Sequence, residues 1–335
     1  MKRKAVFLAN RNGNSISSVY DDGIMRQLNE LVDLHPDIVD RGSLQEHRAA
    51  LREAEIAFST WGMCALTSEE IRDRLPNLRI LFYAAGSVQG FARPFLENGV
   101  TVVSAWAANA IPVAEYTVAQ ILLANKGVLP AMLRCKQDRS GAIRVADQHP
   151  GNYGAKVGIL GMGMIGSKVV ELLRPYDLEL YVFDPFLSDE RAKEAGVRKA
   201  DLETIFAECQ TISNHLANNA QTVGMLNGAL FDRMLPYATF LNTGRGAQVV
   251  ERDLIRALKE VPTRSAILDV TDPEPPLPGS ELLTLDNVWL TPHIAGSRAR
   301  EVVRMAEYMV AESRHYLAGE PVRGRVTLEM LATMA

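Results

Sequence analysis

The chain has 335 residues, of which 47% are hydrophobic and 23% are charged. These proportions are ordinary for a folded protein of one large or two smaller domains, and they exclude a disordered, collagen-like or disulfide-dense chain. The net charge is −4, so no excess of positive charge predicts a nucleic-acid partner. The three cysteines are too far apart in sequence to form a metal-ligand pair. We therefore expect free thiols in a reducing cytoplasm, and no metal site.

The chain begins with a short apolar run at residues 5–9, which is too short for the core of a signal peptide and predicts a first β-strand. The most apolar long stretch, residues 102–124, is interrupted by Pro112, Glu115 and Gln120. A membrane span needs about 18–20 nearly uninterrupted apolar residues. We therefore expect no membrane partner.

Strand and helix patterns alternate along the first third of the chain, which predicts parallel strands joined by helical crossovers. The predicted strands cover residues 4–9, 36–40, 55–59, 79–83 and 101–103. The predicted helices between them cover residues 22–33, 44–52, 67–74 and 91–98.

An apolar segment at residues 112–126 predicts a buried helix with Pro112 in its first turn, and the polar stretch 129–154 predicts irregular structure. A second α/β series follows. Its predicted strands cover residues 156–160, 178–183, 209–212, 238–242, 265–268 and 287–290. Its predicted helices cover residues 163–174, 189–195, 201–206, 228–233, 251–260 and 298–317.

Two α/β series in one chain predict two domains with a cleft between them. We expect the last helix to return to the first series. The first domain then comprises residues 1–105 and 299–335, and the second comprises residues 106–298.

Residues 156–174 have the pattern of a dinucleotide-binding turn. An apolar strand leads into Gly161-Met-Gly163-Met164-Ile165-Gly166, and an amphipathic helix follows. Gly161 permits the tight turn, Gly163 lets the backbone approach a pyrophosphate, and Gly166 lets the helix pack on the strand. The free N–H groups of the helix N-terminus bind the anion, so Met164 and Ile165 join the predicted cofactor-binding residues.

An acidic residue occupies the place that this fingerprint requires. The second strand of the series ends at Asp184, 18 residues beyond Gly166, and no arginine follows it directly. A carboxylate there accepts hydrogen bonds from ribose hydroxyls and repels a 2′-phosphate. The alternative is a glycine-rich turn beside an unrelated aspartate. The pattern predicts NAD as the cofactor, in preference to NADP.

Three later segments complete a wider pattern. They are Leu241-Asn-Thr-Gly-Arg245-Gly246, Leu268-Asp269-Val-Thr-Asp-Pro-Glu274-Pro-Pro276 and Thr291-Pro-His293-Ile-Ala-Gly296. With the glycine motif, they make this chain resemble the D-isomer-specific 2-hydroxyacid dehydrogenases. The resemblance extends over nearly the whole chain, is strongest from Pro112 to Gly296, and is weak in the first 80 residues. It implies a Rossmann NAD-binding domain and a flavodoxin-like substrate domain.

The chemistry of these segments agrees with the resemblance. Each lies at or just beyond the carboxyl end of a predicted strand, where ligands of open α/β sheets bind. An arginine can pair bidentately with a carboxylate, and a histidine can transfer a proton near neutral pH. The resemblance implies that Arg245 binds substrate and polarises its carbonyl, that His293 is the acid–base, and that Glu274 orients it. Taken singly, these residues could be a surface arginine, a loop glutamate and a capping histidine.

Further residues carry over from the resemblance. Thr243 and Asp269 are expected near the cofactor, as is His215, which is also a rival base. The loop after the fourth strand is expected to present backbone N–H groups to the substrate carboxylate through Ala85, Gly86 and Ser87.

The chain departs from the family pattern at three places. The usual acid of the loop after the fourth strand is missing, and Val88 and Gln89 stand near its place. Ala217 replaces a proline two residues after His215, and 107–108 are alanines where Pro-Gly is usual. The first of these departures bears on the identity of the substrate.

The sequence therefore predicts a cytoplasmic, homodimeric NAD-dependent oxidoreductase that interconverts a D-2-hydroxy acid and its 2-keto acid. Two alternatives stay open. A corepressor-like protein that senses NAD(H) would keep the fold, and we would expect it to carry added tails, whereas this chain ends soon after its last helix. A formate or phosphite dehydrogenase would use the same fold for another reaction.

Overall fold

The computed structural model describes residues 1–332 and contains two compact units. Among these residues, the first is formed by 1–110 and 297–332, and the second by 111–296. The sequence predicts the divisions after residues 105 and 298. Each unit has its own sheet and its own apolar core.

The elements follow one another along the chain as alternating strands and helices. Those of the first 104 residues are β1 (Lys4–Leu8), α1 (Ile16–Val19), α2 (Asp22–Leu31), β2 (Asp33–Val39), α3 (Arg48–Glu53), β3 (Ile56–Ser59), α4 (Ser68–Arg74), β4 (Ile80–Tyr83), α5 (Ala92–Glu97) and β5 (Thr101–Ser104). Those that follow are α6 (Trp106–Ala124), α7 (Val128–Cys135), α8 (Arg139–Ala146), β6 (Lys156–Leu160), α9 (Met164–Leu173), β7 (Glu179–Phe183), α10 (Asp189–Ala195), β8 (Arg198–Lys199), α11 (Leu202–Glu208), β9 (Thr211–Asn214), α12 (Gly228–Phe231), β10 (Thr239–Asn242), α13 (Glu251–Glu260), β11 (Ser265–Leu268), β12 (Val288–Leu290), α14 (Glu301–Leu317) and β13 (Arg325–Val326). Single 3₁₀ turns lie at Gly246–Gln248, Glu281–Leu283 and Met330–Ala332.

The sheet of the first unit has the strand order β13-β5-β4-β3-β1-β2. Strands β1 to β5 are parallel, and β13 adds an antiparallel edge. The order 2-1-3-4-5 of the parallel strands is that of a flavodoxin-like fold. Helix α14 belongs to this unit, as the sequence predicts, and buries Met305, Ala306 and Met309 in its core.

The sheet of the second unit has seven strands in the order β12-β11-β10-β9-β6-β7-β8, and all are parallel. From β6 the chain adds β7 and then β8 on one side of the sheet. It then crosses back and adds β9 on the other side of β6. This is the doubly wound order of a Rossmann fold, in which ligands bind beyond the carboxyl ends of the strands at the reversal. The predicted fold class is therefore confirmed.

Two predictions about the middle of the chain are wrong. Helix α6 begins at Trp106, so Pro112 lies inside the helix and not in its first turn. The stretch 129–154, predicted to be irregular, contains most of α7 and all of α8. Helix α6 has the length and mean hydropathy, 1.2, of a membrane span. Ala114 and Ile121 are fully buried in the core of the second unit, as expected for a core helix.

Candidate active site

The glycine motif forms the turn between β6 and α9. Gly161 has a φ of +93°, and a Cβ atom there would lie 2.8 Å from the His215 carbonyl oxygen. A Cβ atom on Gly166 would lie 1.9 Å from the Gly161 carbonyl oxygen. Only glycine fits these two positions without displacing backbone.

The turn leaves open space where a dinucleotide phosphate would bind. Apart from its own chain neighbours, no heavy atom of the described residues 1–332 lies within 4 Å of a Cβ atom built on Gly163, which immediately precedes the first turn of α9. Met164 is exposed, and Ile165 packs against the core. The backbone N–H groups of both residues belong to the first turn of α9. The residues therefore fit a bound dinucleotide.

The structure gives Asp184 a second role that the sequence does not reveal. One carboxylate oxygen accepts the Met162 N–H at 2.6 Å, and the other accepts the Phe186 N–H at 2.7 Å. The carboxylate thus lies against the glycine turn, where the fingerprint requires it. It also fixes the turn to the end of β7.

The three predicted catalytic residues follow the adjacent strands β10, β11 and β12, whose carboxyl ends share one edge of the sheet. Nδ1 of His293 lies 2.7 Å from Oε1 of Glu274, and the two side chains are 47% and 41% exposed. Burial lowers the pKa of the Arg245 guanidinium, while the negative charge of Glu274 acts in the opposite direction. Glu274 is therefore close enough to act on both other residues.

The His293 loop is held by Asp269, which is 2% exposed at the end of β11. Its carboxylate accepts the N–H groups of Ile294 and Ala295 and the hydroxyl of Thr291. His293 itself has a φ of +53°, a conformation that is uncommon for a residue with a side chain. Its N–H donates to the Asp269 carbonyl at 3.0 Å. The structure thus engages Asp269 with the loop that carries His293, while its predicted cofactor contact stays a prediction.

The turn that carries Arg245 is fixed by a buried amide network. Nδ2 of Asn214 donates to Oε1 of Gln248 at 2.6 Å and to Oδ1 of Asn242 at 3.0 Å. The Gln248 oxygen also accepts the Arg245 N–H, and Asn242 donates to the Arg245 carbonyl. The sequence analysis missed these residues; the available signal was the polar residue that ends both β9 and β10.

His215 lies in a different environment from His293. Its ring nitrogens face the hydroxyls of Ser213 at 2.8 Å and Thr243 at 3.3 Å. Complete burial lowers the pKa of His215 to about 3, because a charged imidazolium loses its hydration there. His215 is therefore neutral near pH 7 and is a poor candidate for the acid–base group. Its contact with Thr243 brings together two residues predicted to lie near the cofactor.

The predicted substrate loop lies in the first unit, after β4. Ser104 donates its hydroxyl to the carbonyls of Ala85 at 2.9 Å and Gly86 at 2.6 Å. Within residues 1–332, the backbone N–H groups of Gly86 and Ser87 have no hydrogen-bond acceptor. The N–H of Ala85 donates to the Tyr83 carbonyl at 2.9 Å, so the prediction that Ala85 presents its N–H group to a ligand is wrong. The loop thus leaves two donors, those of Gly86 and Ser87.

The residues near the place of the missing loop acid have structural contacts. Val88 is fully buried in the core of the first unit. Gln89 donates from Nε2 to the Leu331 carbonyl at 2.7 Å. Near the place where the family has an acid, this loop therefore has an apolar core residue and a side chain that hydrogen-bonds to the C-terminal segment.

Comparisons with known proteins agree with this geometry. Residues 118–295 match the family model "D-isomer specific 2-hydroxyacid dehydrogenase, NAD binding domain". D-3-phosphoglycerate dehydrogenase from Archaeoglobus fulgidus is 30% identical over 263 residues, which cover 77% of this chain and 49% of that protein. Glyoxylate reductase from Korarchaeum cryptofilum is 32% identical over 251 residues, which cover 73% of this chain and 74% of that protein.

The chain spans about half the length of the D-3-phosphoglycerate dehydrogenases that it matches. The same fold occurs in the solved structure of D-mandelate dehydrogenase from Rhodotorula graminis. That structure superposes with a TM-score of 0.80 at 20% identity, over 97% of this chain and 98% of the other. This likeness concerns the fold.

Proposed function

Because this chain belongs to the D-isomer specific 2-hydroxyacid dehydrogenase family, we propose that it is an oxidoreductase that interconverts a D-2-hydroxy acid and its 2-keto acid. The second unit is an NAD-binding domain, and NAD is its cofactor. The observation that carries the proposal is the 2.7 Å contact between His293 and Glu274. The negative charge of the same carboxylate also acts to raise the pKa of Arg245.

Arg245 is the proposed substrate ligand. Its planar guanidinium can pair with a substrate carboxylate through two parallel hydrogen bonds and can also polarise the neighbouring carbonyl. The amide network around Gln248 holds the backbone of this residue. A fixed cation stabilises the negative charge that develops on the carbonyl oxygen during reduction.

His293 is the proposed proton donor. NADH, when bound, supplies the hydride that adds to the keto carbon. The imidazolium of His293 donates a proton to the carbonyl oxygen, and in the oxidation direction the neutral ring accepts it back. Since Nδ1 faces Glu274, we assign the transfer to Nε2. Glu274 orients the ring through its contact with Nδ1.

The loop of the first unit is a second proposed ligand for a carboxylate. Support comes from the N–H groups of Gly86 and Ser87, which have no acceptor within residues 1–332 and can donate to a small anion.

The test is a screen of 2-keto acids for reduction with NADH and with NADPH. We expect at least one keto acid to be reduced, with NADH preferred. Failure of every keto acid, with oxidation of formate or phosphite, would replace the proposal with the alternative reaction. Binding of NADH without turnover of any substrate would favour an NAD(H)-sensing interaction protein.

We also propose that the protein is a homodimer. Apolar side chains of α7 and α8 support this, because Met132, Leu133 and Ile143 are 59%, 41% and 53% exposed, and such residues are often covered in an interface. Light scattering after size exclusion should give twice the chain mass, and Ile143→Glu should reduce it toward one chain. A monomeric wild type would refute the proposal.

A further inference from the structure

Three potential metal ligands meet in the first unit, apart from the candidate active site. Nε2 of His35 lies 3.1 Å from Nδ1 of His47 and 3.8 Å from Oδ2 of Asp37. The three ligand atoms lie within 4.8 Å of one another. Two imidazole nitrogens on one tetrahedral Zn²⁺ are about 3.4 Å apart, given bonds of about 2.1 Å. The spacing therefore fits a shared metal ion with small adjustments.

The backbone that carries two of these ligands departs from the regular ladder. Strand β2 is an edge strand of its sheet, and its pairing with β1 shifts register. Ala5 pairs with Leu34 but Phe7 pairs with Ile38, so His35-Pro36-Asp37 bulges from the ladder. Bulges at sheet edges commonly redirect side chains. Here the bulge brings an imidazole and a carboxylate, two residues apart, toward the same point.

The third ligand comes from another element. His47 immediately precedes α3, in the position where a side chain often caps the first turn. Its side chain makes no capping hydrogen bond. Instead, Nδ1 faces the ring of His35, at a centroid separation of 5.1 Å and an interplanar angle of 73°. Both histidines are half-buried, whereas the Asp37 side chain is 64% exposed.

Metal binding explains the arrangement of all three groups. Without a metal, one proton can join the two imidazoles, but Asp37 at 3.8 Å is beyond hydrogen-bond distance of the His35 nitrogen. A cation between the three groups would bind two neutral nitrogens and one negative oxygen. Two imidazoles and a carboxylate suit Zn²⁺ and neighbouring first-row ions better than Mg²⁺ or Ca²⁺, which prefer oxygen ligands.

We propose that His35, Asp37 and His47 form a binding site for a divalent first-row metal ion such as Zn²⁺. Water completes the tetrahedral coordination on the exposed side of Asp37. The bound ion joins the edge strand β2 to the start of α3 and so stabilises the first unit. The sequence analysis missed this site because it sought metal ligands only among the cysteines.

The test is a titration of the full chain with ZnCl₂ after treatment with EDTA, in competition with a chromophoric chelator. We expect the wild type to bind Zn²⁺ at this site with a Kd below about 10 μM. His47→Gln and Asp37→Asn should each weaken that binding at least about tenfold, since each removes one ligand. Circular dichroism and melting without metal should show that both variants are folded; Asp37→Asn alters an exposed side chain and is the safer variant.

His293→Gln is the matched control, because His293 also faces a carboxylate, that of Glu274 at 2.7 Å, but belongs to the candidate active site. It should leave the Zn²⁺ affinity unchanged. In the wild type, ZnCl₂ should also raise the melting temperature, and the rise should vanish in His47→Gln. Wild-type binding weaker than about 100 μM would overturn the proposal, as would equal affinity in wild type and His47→Gln. Loss of binding in His293→Gln alone would place the ion elsewhere.

Discussion

Nδ2 of Asn214 donates a 2.6 Å hydrogen bond to Oε1 of Gln248, and the same oxygen accepts the backbone N–H of Arg245. Both amide side chains are fully buried. The contact joins the end of β9 to the turn after β10. The neutral side chain of Gln248 thereby helps to fix the backbone of Arg245, the proposed substrate ligand.

Replacement of Gln248 should reduce both stability and activity. Gln248→Met keeps a similar volume but leaves the Asn214 donor and the Arg245 N–H without their acceptor. We expect a loss of about 2–3 kcal/mol in the free energy of unfolding, measured with urea, and a lower kcat/KM. Gln221→Met, on an exposed side chain, should change stability by less than about 0.5 kcal/mol. Equal stability of the two variants would contradict the importance of the network.

Substitution of Arg245 should show whether two parallel hydrogen bonds to the substrate carboxylate are needed for activity. Arg245→Lys keeps the charge but loses the planar pair of donors. We expect kcat/KM for a keto acid to fall at least about tenfold, and Arg245→Ala to reduce kcat as well as to raise KM. Arg252→Lys, at a side chain that is 88% exposed, should have no effect. If Arg245→Ala keeps the wild-type KM, another residue binds the substrate carboxylate.

His293→Gln should lower the rate of keto-acid reduction by roughly a hundredfold or more, the usual scale for a positioned general acid. Glu274→Gln keeps the size of the side chain but removes the negative charge that faces Nδ1 of His293, so kcat/KM should also fall, by less than in His293→Gln. The measurement is kcat/KM for one keto acid with NADH in the wild type and in both variants. A wild-type kcat/KM in Glu274→Gln would show that the pair is not coupled during catalysis.

Asp184→Ala should narrow the preference for NADH over NADPH, because it removes both a ribose acceptor and a charge that repels phosphate. It should also weaken binding of both cofactors, since the Met162 N–H of the glycine turn loses its acceptor. The measurement is the Kd of each reduced cofactor by fluorescence titration. Asp189→Ala is the control, because the Asp189 side chain is 87% exposed and pairs with Lys199 on the surface. If Asp184→Ala prefers NADH over NADPH as strongly as the wild type does, Asp184 does not determine the cofactor preference.

His215 should make the protein sensitive to acid. Its pKa is lowered to about 3 by burial, whereas an unfolded histidine titrates near 6.5. Between these values the unfolded chain binds a proton that the folded chain excludes, so stability falls as the pH decreases. From pH 6.5 to 5, the wild type should lose on the order of 1–2 kcal/mol more than His215→Gln, measured by urea unfolding. Parallel losses in the two proteins would show that His215 titrates normally.

Periodicity and turn chemistry predict most of this fold because most elements are bounded by local signals. Residues 156–160, 251–260 and 265–268 are predicted with the bounds that the structure shows. The start of α6 was predicted wrongly at Pro112, because proline is typical of a first helical turn. The alanine-rich residues before Pro112 contain no other signal for the start of a helix. The two-residue strand β8 is set by its pairing with β7, a contact that no local pattern records.

The candidate site could be predicted where motif and strand end coincide. Arg245, Glu274 and His293 follow the strands as expected, and the 2.7 Å contact of the last two agrees with their pairing. Asn214, Asn242 and Gln248 could not be predicted as a network, because Asn214 contacts residues that are 28 and 34 positions away in sequence. The three proposed metal ligands come from two separate elements, and a register shift in one of them directs His35 and Asp37 toward the same point.

The two contacts of the Asp184 carboxylate set a limit on redesign of this protein. An engineer who exchanges this residue for an apolar one to accept NADPH would also release the Met162 and Phe186 N–H groups. A replacement that keeps the turn in place must therefore still offer an oxygen acceptor, as an asparagine or serine side chain does. Cofactor preference and the order of the glycine turn thus depend on the same carboxylate, and a redesign has to treat the two together.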